Sequence, residues 1–275
     1  MYTGERGVMN KVISADGTPI AFERFGSGRP VVVVGGATCD RAKMREVSER
    51  LAHHFTVINY DRRGRGDSGD TAPYAVQREI EDLGALITEA GGTVSVYGHS
   101  SGAGLALHAA AHGLPITRLA LHDPPFVPAG EQERAAREQG RQLRTLLEQD
   151  RRGDAAALFM TWTGVPSEAV AQMRGEPWWA GLEAIAHTLA YDSEVMGDIS
   201  RGGTIPADQV GRVATATLVV NGGACPAWMI DAGRRIADGI PGGRQIVLAD
   251  QEHVVPPDLL VPAIADFLAG RRHPD

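Results

Sequence analysis

Short runs of valine and isoleucine recur along this chain, and longer stretches separate them in which apolar residues return every three or four positions. Runs such as Val31-Val32-Val33-Val34 are apolar throughout, which is how strands read when a parallel sheet is covered on both faces. The pattern predicts an opening antiparallel pair at 12–14 and 19–25 around the turn Asp16-Gly17. Further strands follow at 31–34, 56–60, 94–97, 119–122, 216–221 and 245–248. Helical periodicity falls between several of them, at 41–51, 76–90, 102–111, 228–238 and 259–268. This alternation argues an α/β fold built on a mostly parallel eight-stranded sheet covered by helices.

The alternation breaks between residues 127 and 213. That segment holds no clear strand, carries amphipathic helical stretches such as 132–151, and contains three of the four tryptophans, Trp162, Trp178 and Trp179. It reads as a helical cap inserted after the sixth strand, leaving 1–126 and 214–275 as the core. The tryptophans either line a pocket beneath the cap or form the cap's own small core. Trp178, Trp179 and Tyr191 are the expected substrate contacts from this segment.

Composition narrows the function classes. A length of 275 residues fits one domain with an insertion. A formal net charge of -7, a sequence pI near 5.7 and no long Lys/Arg run give nucleic acid or an anionic membrane no electrostatic attraction. A small apolar molecule is the expected partner; a homodimer is left open. Two cysteines, Cys39 and Cys225, make no disulfide framework and have no ligand-like spacing, so a reducing compartment, no metal and no cofactor are expected. No stretch has the length of a secretory signal or a membrane span, which predicts a soluble cytoplasmic protein.

The chemistry centres on Gly98-His99-Ser100-Ser101-Gly102, between a predicted strand and a predicted helix. A serine in G-x-S-x-G at such a junction turns the chain sharply, and the glycines remove the backbone collisions that larger residues would cause. The turn holds the hydroxyl at the carboxyl end of the sheet, where the positive N-terminus of the following helix also points. With the loop Val34-Gly35-Gly36-Ala37 and the segment Asp61-Arg62-Arg63-Gly64-Arg65-Gly66-Asp67-Ser68, the chain resembles the α/β-hydrolase-fold superfamily, in its serine-nucleophile branch with a helical cap. The resemblance covers nearly the whole length. It implies Ser100 as nucleophile and an oxyanion hole made by the N–H groups of Ala37 and Ser101, with Gly36 allowing close approach. Only the backbone of Ser101 is expected to matter. A serine at the elbow argues against dehalogenases and epoxide hydrolases of this fold, which use an aspartate there.

Of nine histidines, only His253 lies in the loop directly after the last strand, where the resemblance puts the general base; His273 is in the tail, and His99, inside the elbow, is expected to pack behind it. The acid departs from the commonest pattern. After the seventh strand stands Gly222-Gly223-Ala224-Cys225-Pro226, with Cys225 where most members carry aspartate. The resemblance implies an alternative, because some enzymes of this fold place the acid at the end of the sixth strand, where Leu121-His122-Asp123-Pro124-Pro125 presents Asp123; Asp231 and Asp250 are weaker candidates. The arginines of the 61–68 segment read as a structural loop with solvated side chains. The implied function is a serine hydrolase acting on a carboxylic ester or related acyl compound through an acyl-enzyme. The alternative is a non-hydrolytic member of the fold: a biosynthetic lyase, cyclase or isomerase, or a ligand-binding protein.

Overall fold

The computed structural model describes residues 9–271. Eight strands, β1 (Met9–Ile13), β2 (Pro19–Phe25), β3 (Pro30–Val34), β4 (Thr56–Tyr60), β5 (Val94–His99), β6 (Ile116–His122), β7 (Ala216–Gly222) and β8 (Arg244–Leu248), form one sheet in the order β1-β2-β4-β3-β5-β6-β7-β8. β2 runs antiparallel to β1 and β4, and every other pairing is parallel. The sheet is therefore mixed at one edge and parallel where the chemistry lies.

The unbroken valine run of β3 has a direct cause. Val31 and Val33 point into a cluster with α1 (Arg45–Leu51) and α12 (Pro257–Ala269), among them Leu51, Leu260 and Ile264. Val32 and Val34 point the other way, against Leu83 of α2 (Val76–Glu89), Leu105 of α3 (Ser101–Ala111) and Ile236 of α11 (Ala227–Gly239). Successive strand residues face opposite sides, so a strand covered twice must be apolar at every position. Burying each valine contributes roughly 1.5–3 kcal/mol.

Between β6 and β7 lies a helical insert: α4 (Glu131–Glu148), α5 (Arg152–Trp162), α6 (Ser167–Met173), α7 (Trp179–Ile185), a 3-10 turn (Ala186–Thr188), α8 (Leu189–Met196), α9 (Asp198–Arg201) and α10 (Ala207–Val210). Leu143, Ala155, Val170, Trp179 and Leu182 give it a cluster of its own.

Two expected helices are shorter than their periodicity suggested. Over 41–51 the helix begins only at Arg45, because the Asp61 carboxylate takes the Arg41 N–H at 2.7 Å and the Asn59 amide takes the Arg41 carbonyl at 2.8 Å. Over 132–151 it stops at Glu148, where Asp150 turns to φ 54° and the Arg151 N–H reaches back to the Leu146 carbonyl at 2.9 Å. That is a Schellman ending, which a periodicity count does not see.

Candidate active site

Four loops at the carboxyl ends of β3, β5, β6 and β8 carry the candidate chemistry, and strain is concentrated on them. Of the five non-glycine residues with clearly positive φ among the described residues, Thr38, Ser100, Asp123 and Asp250 stand on these loops. Such conformations cost about 1–3 kcal/mol each and persist only where the surroundings enforce them. At Ser100 the chain adopts φ 58°, ψ -127° between β5 and α3. The glycines on either side are required by contact. A Cβ on Gly98 would lie 2.6 Å from the Gly102 carbonyl oxygen, and one on Gly102 would lie 2.6 Å from the Gly35 carbonyl oxygen. Gly36 is held as closely: a Cβ there would lie 2.8 Å from the Ser100 Cβ and 3.4 Å from its Oγ. The loop after β3 thus presses directly on the serine.

His253 reaches the same place from the loop after β8. Its carbonyl accepts a hydrogen bond from His99 Nε2 at 3.0 Å, and the two rings lie 4.7 Å apart. His99 is the neighbour of Ser100 in the chain, so this bond seats His253 beside the elbow. The Gly222-Gly223-Ala224 segment holds the loop from below. The Ala224 N–H donates to the Gln251 carbonyl at 2.8 Å, and a Cβ on Gly222 would lie 2.6 Å from the Glu252 carbonyl oxygen.

Asp123 is fully buried, and its Oδ2 lies 3.4 Å from His253 Nδ1. Its other oxygen accepts from Asn221 Nδ2 at 2.8 Å and from the Gly222 N–H at 3.3 Å. The orientation of Asn221 is fixed because its Oδ1 accepts from Gln245 Nε2 at 2.8 Å. Burial pulls the Asp123 pKa up, but the His253 contact, the neighbouring His122 and the Asn221 amide hold it below the usual carboxylate value.

Cys225, where the commonest acid would stand, places its Sγ 3.4 Å from Asp123 Oδ2. Burial and the adjacent Asp123 charge push its thiol up to about 12. It therefore stays protonated and donates to the aspartate. On the far side of Asp123, His122 Nε2 lies 3.6 Å from Oδ2, while its Nδ1 meets the Tyr97 hydroxyl at 2.8 Å. A tautomer protonated on Nε2 suits both contacts. Asp123, Cys225 and His253 also bring three ligand-type atoms within 4.8 Å of one another, the one such set among the described residues. Of these atoms, the Cys225 thiol donates to Asp123 Oδ2, and His253 Nδ1 lies 3.4 Å from the same oxygen.

Residues 31–258 match the alpha/beta hydrolase family, and that span covers most of the chain. The chain belongs to that family. An alpha/beta hydrolase from Sphaerobacter thermophilus is 52% identical and superposes with a TM-score of 0.82, covering 94% of this chain and 99% of its own. The N-formylmaleamate deformylase of Pseudomonas putida is 36% identical over 123 residues, which is 43% of this chain and 46% of that protein. That match spans less than half of the relative. The (E)-2-((N-methylformamido)methylene)succinate hydrolase of Acinetobacter baylyi is 26% identical over 248 residues, 88% of this chain and 90% of its own. Family and relatives agree on hydrolysis as the broad activity.

Several expectations for this alpha/beta hydrolase need correction. The arginines of the 61–68 loop are not solvated: Arg62, Arg63 and Arg65 are among the most buried side chains in the molecule. Arg63 pairs with Asp82 and Asp16, at 2.7 and 2.9 Å. Arg62 pairs with Glu79 and Asp192, and Arg65 with Asp192, all within 2.7 Å. Nor is the Ser101 side chain idle, since its Oγ donates to Asp192 Oδ1 at 2.7 Å.

The aromatic residues of the insert separate into different roles. Trp179 is a core residue of the insert, 3% exposed, with its indole N–H on Glu183 at 2.7 Å; Trp178 beside it is 51% exposed. Tyr191 stacks on Tyr74 at 3.8 Å and donates its hydroxyl to Asp70 at 2.8 Å, so it seals the seam between insert and core. Besides Asp192, the insert meets the oxyanion loop with apolar side chains: Ala37 packs against the same cluster as Phe159, Met160, Trp162 and Val165. A groove of about 350 Å³ lies elsewhere, lined by residues such as Val127, Thr204, Ile205, Val210 and Arg235, and includes none of Ser100, His253 or Asp123. Asp192, Asn221, Gln245 and the Tyr97–His122 contact had no signal in the sequence, because each acts on a partner at least 24 positions away along the chain.

Proposed function

We propose that this protein hydrolyses an uncharged carboxylic ester or related acyl compound through an acyl-enzyme on Ser100. The observation that carries the reading is a serine held at strained φ/ψ on the elbow, with the Asp123–His253 pair docked against the residue before it. Ser100 Oγ attacks the carbonyl carbon while its proton passes to His253 Nε2, and Asp123 steadies the imidazolium through Nδ1. The carbonyl oxygen becomes an oxyanion and takes hydrogen bonds from the Ala37 and Ser101 N–H groups. Collapse of the tetrahedral intermediate returns the proton to the leaving alcohol. Water then attacks the acyl-enzyme by the same route, releasing the acid and restoring the Ser100 hydroxyl.

Two features favour an uncharged, apolar acyl group under a cap formed by residues 127–213. The insert presents Phe159, Met160, Trp162 and Val165 around the cluster that Ala37 joins. The three arginines of the 61–68 loop are all held by buried carboxylates and so are not free to bind a substrate anion. A second reading, cleavage of an N-formyl or related amide, is favoured by the names of the Pseudomonas and Acinetobacter relatives.

The test is turnover of p-nitrophenyl butyrate together with labelling by a fluorophosphonate probe, in the natural protein and in Ser100→Ala. Turnover and a single adduct at Ser100, both lost in the variant, are expected. An unlabelled, inactive natural protein would move the assignment to the non-hydrolytic alternative. Faster release of formate from an N-formyl amide than of nitrophenol from the ester would favour the second reading.

A further inference from the structure

Asp192 is a buried carboxylate on helix α8 of the insert, and it ends on both halves of the proposed oxyanion hole. Its Oδ1 accepts from Arg62 Nη1 at 2.6 Å and from Ser101 Oγ at 2.7 Å, and its Oδ2 accepts from Arg65 Nη2 at 2.7 Å. Arg65 passes the contact on. Its Nη1 donates to the Gly36 carbonyl at 2.6 Å and to the Cys39 carbonyl at 3.1 Å.

The Gly36 contact matters because of peptide geometry. A trans peptide is planar, with its C=O and N–H pointing in opposite directions. Holding the Gly36 carbonyl on Arg65 therefore fixes the direction of the Ala37 N–H across the same peptide. The loop needs such a hold, since it contains two adjacent glycines and then Thr38 at φ 60°. The second donor is tied to the insert through a side chain instead: Ser101 is the first residue of α3, its N–H has no partner inside the helix, and its Oγ bond to Asp192 anchors that residue where the N–H is free.

A role in stability alone explains this arrangement poorly. Buried ion pairs are often matched or bettered by well-packed apolar side chains, so their placement calls for a further reason. Here Arg62, Arg65, Glu79 and Asp192 form a charge-balanced set whose members lead to the loop before Ala37 and to Ser101.

We propose that Asp192 is a positioning residue for oxyanion stabilisation, aligning the Ala37 amide through Arg65 and the Ser101 amide through the Ser101 hydroxyl. Because Asp192 stands on the insert, docking of α8 completes the hole. This inference rests on the acyl-transfer reading of Ser100.

Its test uses Asp192→Asn, Arg65→Lys and Ser101→Ala in the full-length protein. The measurements are kcat and KM for p-nitrophenyl butyrate and the inhibition constant of an alkyl trifluoromethyl ketone, which forms a tetrahedral oxyanion on a reactive serine. Loss of one oxyanion donor costs about 10²–10³ in kcat, so Asp192→Asn should lose about 10²-fold or more with KM within about threefold. Ser101→Ala, which keeps its N–H, should lose about tenfold. Ketone affinity should fall by the same factor as kcat/KM, a correspondence that mere loosening of the insert would not produce.

If Asp192→Asn fails to fold, Ser101→Ala and Arg65→Lys decide the matter. Unchanged kcat in both, or a loss in KM alone with ketone affinity retained, overturns the proposal. If Ser100→Ala abolishes turnover while these variants keep it, only the role of Asp192 falls. If Ser100→Ala leaves turnover intact, the acyl-transfer reading falls with it.

Discussion

Replacing Asp123 by asparagine keeps the size of the side chain and removes its charge, and the surroundings of Asp123 dictate which way the new amide must face. Asn221 Nδ2 and the Gly222 N–H both donate to Oδ1, so the asparagine oxygen has to take that side. Its NH₂ group then points at His253 Nδ1, His122 Nε2 and the Cys225 thiol. A donor now faces His253 Nδ1. The favoured tautomer becomes the one with Nδ1 bare and the proton on Nε2, which cannot accept a proton from Ser100.

The lost charge can be sized as well. Opposite unit charges at the observed 3.4 Å attract by about 5 kcal/mol at an effective dielectric of about 20, equivalent to roughly 10³–10⁴ in rate. Solvent screening reduces this, because the His253 side chain is 37% exposed, whereas the wrong tautomer adds to it. The expected loss in kcat is about 10³-fold, in keeping with the ~10⁴ seen for the analogous change in triad proteases. The assay is kcat and KM for p-nitrophenyl butyrate at pH 7.5, after a melting curve confirms folding, with Cys225→Ser as the control. That control keeps a neutral donor to Oδ2 and should stay within about threefold. A folded Asp123→Asn that loses less than about tenfold would refute the pairing of Asp123 with His253 as the working acid and base.

Two further outcomes follow from burial. Burial lowers the His122 pKa from the ordinary 6.5 to about 4, so between those values the unfolded chain binds more protons than the fold, and stability declines as pH falls through this window. The full loss is roughly 3 kcal/mol, and denaturant midpoints from pH 7 to 4 should show a shallower decline in His122→Gln; an unchanged slope would mean that other groups set the acid limb. Trp179→Ala should destabilise the insert by about 3–5 kcal/mol by opening a cavity in its core, whereas Trp178→Ala, on an exposed side chain, should stay within about 0.5 kcal/mol. Equal melting temperatures for the two variants would contradict their different placement.

What the sequence determined by itself is local. The valine runs mark doubly covered strands because side-chain direction alternates from one residue to the next. Gly98 marks the elbow because the collision it avoids is with the Gly102 carbonyl in the next turn of the chain, whereas the contact that Gly102 avoids, with the Gly35 carbonyl, exists only in the folded sheet. His253 was legible from its order in the chain, being the sole histidine between the last strand and the final helix.

Which carboxylate meets His253 was a different kind of question. Asp123 and His253 are 130 positions apart, and only the parallel pairing of β6 with β7 brings Asn221, Gly222 and Cys225 around the aspartate. Asp123 was named only through the family resemblance, and the buried arginines, which no resemblance marked, escaped the sequence reading. Arg65 and Asp192 come from separate parts of the chain, 127 residues apart, and an isolated arginine in a glycine-rich loop carries no mark of the carboxylate it will meet. Trp179 and Trp178 are identical and adjacent in the sequence, yet one is core and the other surface. Periodicity and turn chemistry are set by neighbours a few residues away and can be read from the chain. Long-range polar pairing has no period, so it is decided only when the folded backbone delivers two distant side chains to the same buried place.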